Sequence, residues 1–287
     1  MNAIALAALP KDAPGWNGAL ALTFAGRSGA TILQRRGQIG PLAIQRPFYP
    51  EGPQTCHAIV LHPPGGIVPG DALTLDIEVE PNAHALMTTP AATKVYRSDG
   101  RASSQTQSLH VSAGATLEWL PQETICFDGA RVSLCTNVHL ADGATWLGWD
   151  ILCLGRAASG ERTFDGECRQ RIHIHRGGRP VLVERAHYDS DVQAASWGLR
   201  RASVVGTLVA ASPALSPDMA AQLLGKLRGL VGCDGGLCAA SVVSGVLVFR
   251  YLGNGAEPAR ILFEQAWRLV RPALIGRPAC APRIWAT

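Results

Sequence analysis

Up to about residue 210 the chain is a procession of short runs in which apolar side chains alternate with small or polar ones. Leu20, Leu22 and Phe24 alternate with small residues, and Leu73, Leu75, Ile77 and Val79 fall on one face of ALTLDIEVE, as half-buried strands require. The same period of two runs through CHAIVLH, HALMTTP, TKVYR, SQTQSLHVS, ATLEWLP, VSLCTNVHL, TWLGWDILCL, CRQRIHIHR, RPVLVERAHY and ASVVGTLVA. Ahead of these, residues 19–50 read as three strands with Gly-rich turns at 26–29 and 37–40. Three turn-like segments, EPNAH (80–84), SAGAT (112–116) and ADGAT (141–145), each precede a strand. Their spacing of roughly thirty residues predicts repeated winding of similar strand pairs into a stack of sheet layers.

The spacing of apolar residues changes only late in the chain. SPDMAAQLLGKLRG (216–229) offers Ser216 as N-cap, Pro217 at the first helical position and Asp218 in the first turn. EPARILFEQAWRLVRP (257–272) puts Leu262, Ala266, Leu269 and Val270 on one stripe, with Arg260, Glu264, Arg268 and Arg271 opposite, and Pro272 as the expected stop. SVVSGVLVFRYLG between them reads as a hairpin. The expected architecture is therefore mainly β: a strand stack over 1–210, with an α/β appendage over 211–287 packed on it as one structural unit.

Composition narrows the class. The chain has 287 residues, 47% hydrophobic and 17% charged, with 31 Gly and 19 Pro. Those values describe a turn-rich globular protein long enough to bury a sizeable core. So sparse a charge fits either a surface covered by partners or an ordinary hydrophobic enzyme. The net charge of +4 is too modest for a nucleic-acid binder. Arginine outnumbers lysine throughout, and the stretch after Gly245 holds most of the positive excess; guanidinium suits planar contacts with carboxylates, although a GC-rich genome gives the same bias.

The start, MNAIALAALPKD, lacks the positive charge and the apolar length of a signal peptide, and no run is long enough for a membrane helix. A cytoplasmic protein that touches no membrane is expected. The 8 cysteines include no C-x-x-C, which argues against a zinc ribbon and, in the cytoplasm, against disulfides. Cys233 and Cys238, flanking DGGL, read as ordinary surface-turn residues.

Phosphate-loop, nucleophile-elbow and H-E-x-x-H motifs are all missing, so nucleotide hydrolysis and the commonest hydrolase chemistries lack support. The chemistry on offer lies in carboxylates that break apolar patterns. His62 and Asp71 bracket the shaped turn HPPGGIVPGD, Asp150 shares a strand face with Trp146, Leu152 and Leu154, and Glu184 shares one with Leu182 and Ala186. An unpaired buried carboxylate costs several kcal/mol or is forced to a raised pKa. Three such acids predict an internal polar cavity or channel, unless each is a structural ion pair with an arginine such as Arg156 or Arg185. His62, Asp71, Asp150 and Glu184 form a candidate set of transient ligands for a divalent cation such as Ni²⁺, with no tightly bound cofactor. Held as a fixed site, the same four would make a metal-dependent hydrolase. His173 and His175 lie two apart on one strand face, a spacing that can chelate a metal or merely decorate a solvated face between arginines.

HPPGGIVPGD (62–71), TTPAATKVYR (88–97), LEWLPQETI (117–125), WDILCLGR (149–156) and RPACAPRIWAT (277–287) resemble, in the same order, the motif blocks of the urease accessory protein family UreD, also called UreH. The resemblance implies a right-handed superhelical, β-helix-like stack of short strands with two C-terminal helices. It also implies a non-catalytic scaffold. Such proteins bind the helical accessory protein UreF, which recruits the GTPase UreG, and the assembly docks onto apo-urease and helps nickel reach its active site. A dimer of such heterocomplexes is compatible with it. The C-terminal helix and the IWAT tail are expected to contribute to the UreF contact.

Overall fold

The computed structural model describes residues 15–161, 163–232 and 234–286; the leader, Arg162, Cys233 and Thr287 lie outside the described residues. The first half contains β1 (Asn17–Arg27), β2 (Ala30–Ile39), β3 (Ala43–Ile44), β4 (Thr55–Leu61), β5 (Ala72–Val79), β6 (His84–Thr88), β7 (Thr93–Val95), β8 (Ser103–Val111), β9 (Thr116–Trp119), β10 (Thr124–Cys126) and β11 (Arg131–Leu140). The second contains β12 (Thr145–Leu154), β13 (Glu167–Arg176), β14 (Arg179–Tyr188), α1 (Ser190–Ala194), β15 (Val204–Ala211), α2 (Pro217–Arg228), β16 (Leu237–Val243), β17 (Val246–Gly253) and α3 (Ala256–Ile275).

These strands wind into a β-solenoid of about 4 turns. Its first wall stacks β1, β5, β8, β11 and β13 in parallel, closed antiparallel by β2 at one end and β14 at the other. The second stacks β4, β6, β9 and β12 in parallel and continues antiparallel through β15, β17 and β16. A short third wall is made by β7, β10 and the end of β12.

The recurring turns carry the winding. Each passes the chain from the first wall to the second, and the residue at its tip is left-handed: Asn82 at φ 61°, Gly114 at 69° and Gly143 at 80°. Coils are tied at these corners, since Gly114 N donates to Gly143 O at 3.3 Å and Thr145 N to Ala115 O at 2.9 Å. The similar spacing and the strand register place equivalent apolar residues above one another. Leu22, Ile77, Leu109, Val138 and Ile174 form one column through the coil interior, all at 0% exposure. Burying each aliphatic side chain is worth roughly 1.5–3 kcal/mol.

The second wall is buried on both faces, which explains the nearly continuous apolar run of β12. Trp146, Leu152 and Leu154 point into the coil, while Leu147, Trp149 and Ile151 meet the helices in a second core. β15 pairs with β12 on one side and β17 on the other, so the C-terminal strands extend this wall. Ser216 caps α2 as expected, its hydroxyl accepting from Met219 N at 3.2 Å.

Several local expectations are corrected. β2 runs through Gly37 to Ile39, so that turn falls later than 37–40. The three-residue strand β10 and the five-residue helix α1 carry too few residues for periodicity to register. α3 continues past Pro272 to Ile275 and is closed by Gly276, whose N–H bonds Pro272 O at 3.1 Å. Proline withholds its own donor and crowds the carbonyl four residues back, and near a helix end one further turn survives that cost. Arg271, expected on the solvent face, is 0% exposed, while Leu269 is only partly buried.

Candidate functional site

The HPPGG turn leaves β4 in the second wall and delivers the chain to β5 in the first. Its middle crosses the third wall, where Ile67 N donates to Lys94 O at 2.7 Å and Tyr96 N to Ile67 O at 2.9 Å. Gly66 is required there, because a Cβ would stand 2.4 Å from the Tyr96 ring. Asp71 is 4% exposed, and both its carboxylate oxygens receive backbone donors, Trp16 N at 2.8 Å and Val68 N at 3.0 Å. It ties the start of β1 to the turn.

Within the coil lies a partly open pocket of about 310 Å³, lined mostly by apolar residues, with His62, Lys94, Gln105, Gln107 and Asp150 among its polar groups. Asp150, half-buried, projects from β12 into it and accepts from Gln170 Nε2 at 2.7 Å. Burial pushes its carboxyl up to about 6, more than the Gln170 hydrogen bond can offset. Burial likewise lowers the pKa of His62, against the pull of the Asp71 charge, which favours a neutral imidazole with a free lone pair. An imidazole and a carboxylate whose ionisation burial disfavours are weak N/O donors of the kind a hydrated divalent cation accepts and releases.

Glu184 is elsewhere. It points inward from β14 and is held by the guanidinium of Arg250 on β17, an ion pair linking the last coil to the C-terminal hairpin. The structure therefore brings His62 and Asp150 to one pocket, keeps Asp71 in the adjoining turn on backbone donors, and sets Glu184 apart. Among the described residues, no three His, Cys, Asp or Glu side chains stand where they could hold one ion together. His173 and His175 project outward, and His175 continues a stack of rings with His139 (5.4 Å) and His110 (4.7 Å).

Beyond the third wall an open cleft of about 1280 Å³ lies against the first residues of α3, lined by Glu123, Arg156, Arg201 and Glu257 among others. Lys94 on β7 borders both this cleft and the pocket within the coil. The two spaces are thus separated by a single layer of short strands.

One charged cluster escaped the sequence reading. Arg271 donates through Nε to both oxygens of Glu118 at 3.0 Å, and through its terminal nitrogens to Glu51 at 2.7 and 2.8 Å. Trp267 Nε1 also donates to Glu118 at 2.8 Å, and His84 and His57 complete the contacts of Glu118 and Glu51 at 2.8 and 2.7 Å. Burial alone would raise the pKa of Glu118, but His84, Arg271 and the Trp267 N–H hold it below the usual carboxylate range. Trp285 of the terminal IWAT segment packs on Trp149 at 5.6 Å and Trp267 at 5.8 Å, with Nε1 donating to Thr88 Oγ1. The cluster pins α3 and the C-terminus to the second wall.

Comparison with known proteins agrees with this architecture. Residues 17–286 match the family model described as UreD urease accessory protein. The chain is 46% identical over 282 residues to the Urease accessory protein UreD of Dechloromonas aromatica, covering 97% of each chain. It is 44% identical to that of Azoarcus sp. over 100% of both chains, and 42% identical to that of Trichormus variabilis over 95% of this chain and 97% of the relative. A coiled β body with a helix-covered second wall, matched from its first described strand to its last described turn, leaves one assignment: the chain belongs to the UreD family of urease accessory proteins.

Proposed function

We propose that this chain is a non-catalytic, cytoplasmic scaffold of urease maturation that binds UreF, UreG and apo-urease and gives Ni²⁺ a wet route toward the urease active site. The observation that carries the reading is the partly open pocket within the coil, which has His62 and Asp150 among its polar lining groups and shares Lys94 with the open cleft. Nickel is cargo here. His62 and Asp150 act as transient ligands, Asp71 fixes the turn that presents His62, and Glu184 with Arg250 sets the position of the last coil. In line with that role, no helix of the described residues is long and apolar enough to cross a membrane.

The test is co-expression of apo-urease, UreF and UreG with and without this chain, with nickel per urease active site measured by mass spectrometry. Urease left essentially nickel-free without the chain is the expected result. Full loading in its absence would refute the reading.

The UreF contact calls for point variants. Cutting away residues 255–287 would strip Trp267 and Trp285 from the second core and Arg271 from Glu51 and Glu118, and so disturb the fold along with the contact. What α3 leaves for a partner is its outward stripe, Glu257, Ile261, Gln265 and Arg268. The double variant Ile261→Asp, Arg268→Glu is expected to weaken UreF capture at least about tenfold while Tm changes by no more than a few degrees. Unchanged capture would place UreF on another face.

A further inference from the structure

The face of the first wall that looks away from the coil carries a line of imidazoles. Ile77, Leu109, Val138 and Ile174 take the inward positions, so alternation turns Asp76 and Glu78 on β5, His110 on β8, His139 on β11 and His175 on β13 outward. The parallel register sets Glu78, His110, His139 and His175 side by side on one rung. The rings of His110 and His139 stack with centroids 4.7 Å apart and planes at 8°, and His175 continues the stack 5.4 Å beyond His139. His110 and His139 are both exposed, so an ion reaches them without any opening of the fold.

Few contacts within the chain occupy these rings. His110 Nε2 stands 3.9 Å from Asp76 Oδ1, beyond hydrogen-bond reach, and His175 Nδ1 is closed to solvent without a hydrogen-bond partner. Burial, and after it the neighbouring imidazoles of His110 and His175, lowers the pKa of His139, which keeps a lone pair open at neutral pH. Two imidazoles bound cis to one ion at about 2.0–2.1 Å place their ring centres roughly 4.5–5.5 Å apart, so the spacing already suits a chelate. Parallel rings hold their lone pairs side by side, and rotation about χ2, a broad torsion, turns them onto one ion without moving a strand. Charge selects the pair. Asp76 and Glu78 stand at the His110 end, whereas Arg185 and Arg171 act on His173, two residues before His175.

We propose that His110 and His139 form a two-imidazole site for a late first-row divalent cation, Cu²⁺, Ni²⁺ or Zn²⁺, with water in the remaining positions and the carboxylates of Asp76 and Glu78 offsetting its charge. Imidazole suits these ions, and Cu²⁺ is held most tightly of the three. The site lies across β5 and β8 from the pocket lined by His62 and Asp150, on the other side of the same wall. It does not depend on the maturation reading.

The test uses the full-length chain without a histidine tag, with Cu²⁺ and Ni²⁺ alone as the probes. Titrations in an Asp150→Asn background keep the pocket out of the reading. Expected are a pulsed-EPR spectrum of two coordinated imidazoles at one equivalent of Cu²⁺, and a Ni²⁺ affinity by calorimetry at least about tenfold weaker in His110→Phe and in His139→Phe. Phenylalanine keeps a ring in the stack, so the metal-free Tm of both variants should stay within a few degrees of the parent's. Asp76→Asn should weaken Ni²⁺ about threefold through the lost charge, and His175→Phe should leave the affinity unchanged. A spectrum with one imidazole or none, or a Ni²⁺ affinity that survives either His110→Phe or His139→Phe, would overturn the assignment. So would binding that is present in the parent and gone in Asp150→Asn alone, which would give the ion to the pocket.

Discussion

Arg271→Met is expected to cost the fold about 3–5 kcal/mol, because it removes one member of a buried ionic network and leaves the others in place. Methionine fills much of the same volume, so the loss is electrostatic. Glu118, at 0% exposure, would keep Trp267 and His84 but lose its only guanidinium, and Glu51 would keep His57 alone. For a chain of this size the loss corresponds to a fall in Tm of roughly 10 °C.

The pH dependence carries a sign. Burial opposes ionisation of Glu51, but His57 and Arg271 outweigh it and hold the carboxyl down to about 2, against an ordinary value of 4.5. A depressed carboxylate stabilises the fold at neutral pH, and the contribution disappears as pH falls from about 4.5 toward 2. The deficit of the variant should therefore be full at pH 7 and shrink in acid. A variant melting within a degree or two of the parent at neutral pH would mean that the network is not what holds α3 on the second wall.

Asp150→Asn is expected to move stability and function in opposite directions. The carboxyl of Asp150 stands at about 6 rather than 3.8, so its ionised form is disfavoured in the folded chain. The penalty is absent in acid, grows as pH rises through that interval, and reaches roughly 3 kcal/mol by pH 7. Asparagine keeps an oxygen for the Gln170 amide and removes the charge. The variant should melt higher than the parent at pH 7.5 and alongside it near pH 4. Nickel per urease in the co-expression assay should fall by about an order of magnitude, since a neutral amide cannot replace a carboxylate as a way-station for a dication. A stabilised variant that still loads urease fully would show that the pocket has no part in nickel transfer.

Much of this architecture was legible in the sequence. The three turns EPNAH, SAGAT and ADGAT announced the coil because stacking demands the same bend at the same interval, and the left-handed Asn82, Gly114 and Gly143 supply it. Asp150 could be assigned to the inward face of β12 because period two fixes which side chains share a side. That it lines the same pocket as His62 could not, since that depends on which coils neighbour one another. Glu118 and Arg271 were missed for a related reason. Alternation in LEWL turns Glu118 away from the coil, and helical spacing sets Arg271 beside polar neighbours, so each taken alone suggests solvent. Only the seating of α3 on the second wall turns both outward positions into interior ones. Glu184 was correctly turned inward by the pattern of β14, but its partner Arg250 belongs to a strand remote in sequence.

The antiparallel strands that finish the first wall at either end have a consequence for colloidal behaviour. A rod of parallel rungs whose last rung was bare would template the first rung of the next molecule and grow into a filament. Here β2 and β14 are folded back over those rungs and carry Arg35 and Arg36 at one extremity and Arg179 and Arg185 at the other. A second molecule approaching end-on meets reversed strand polarity and a fence of guanidinium groups, so self-templated growth is blocked at both extremities of that wall.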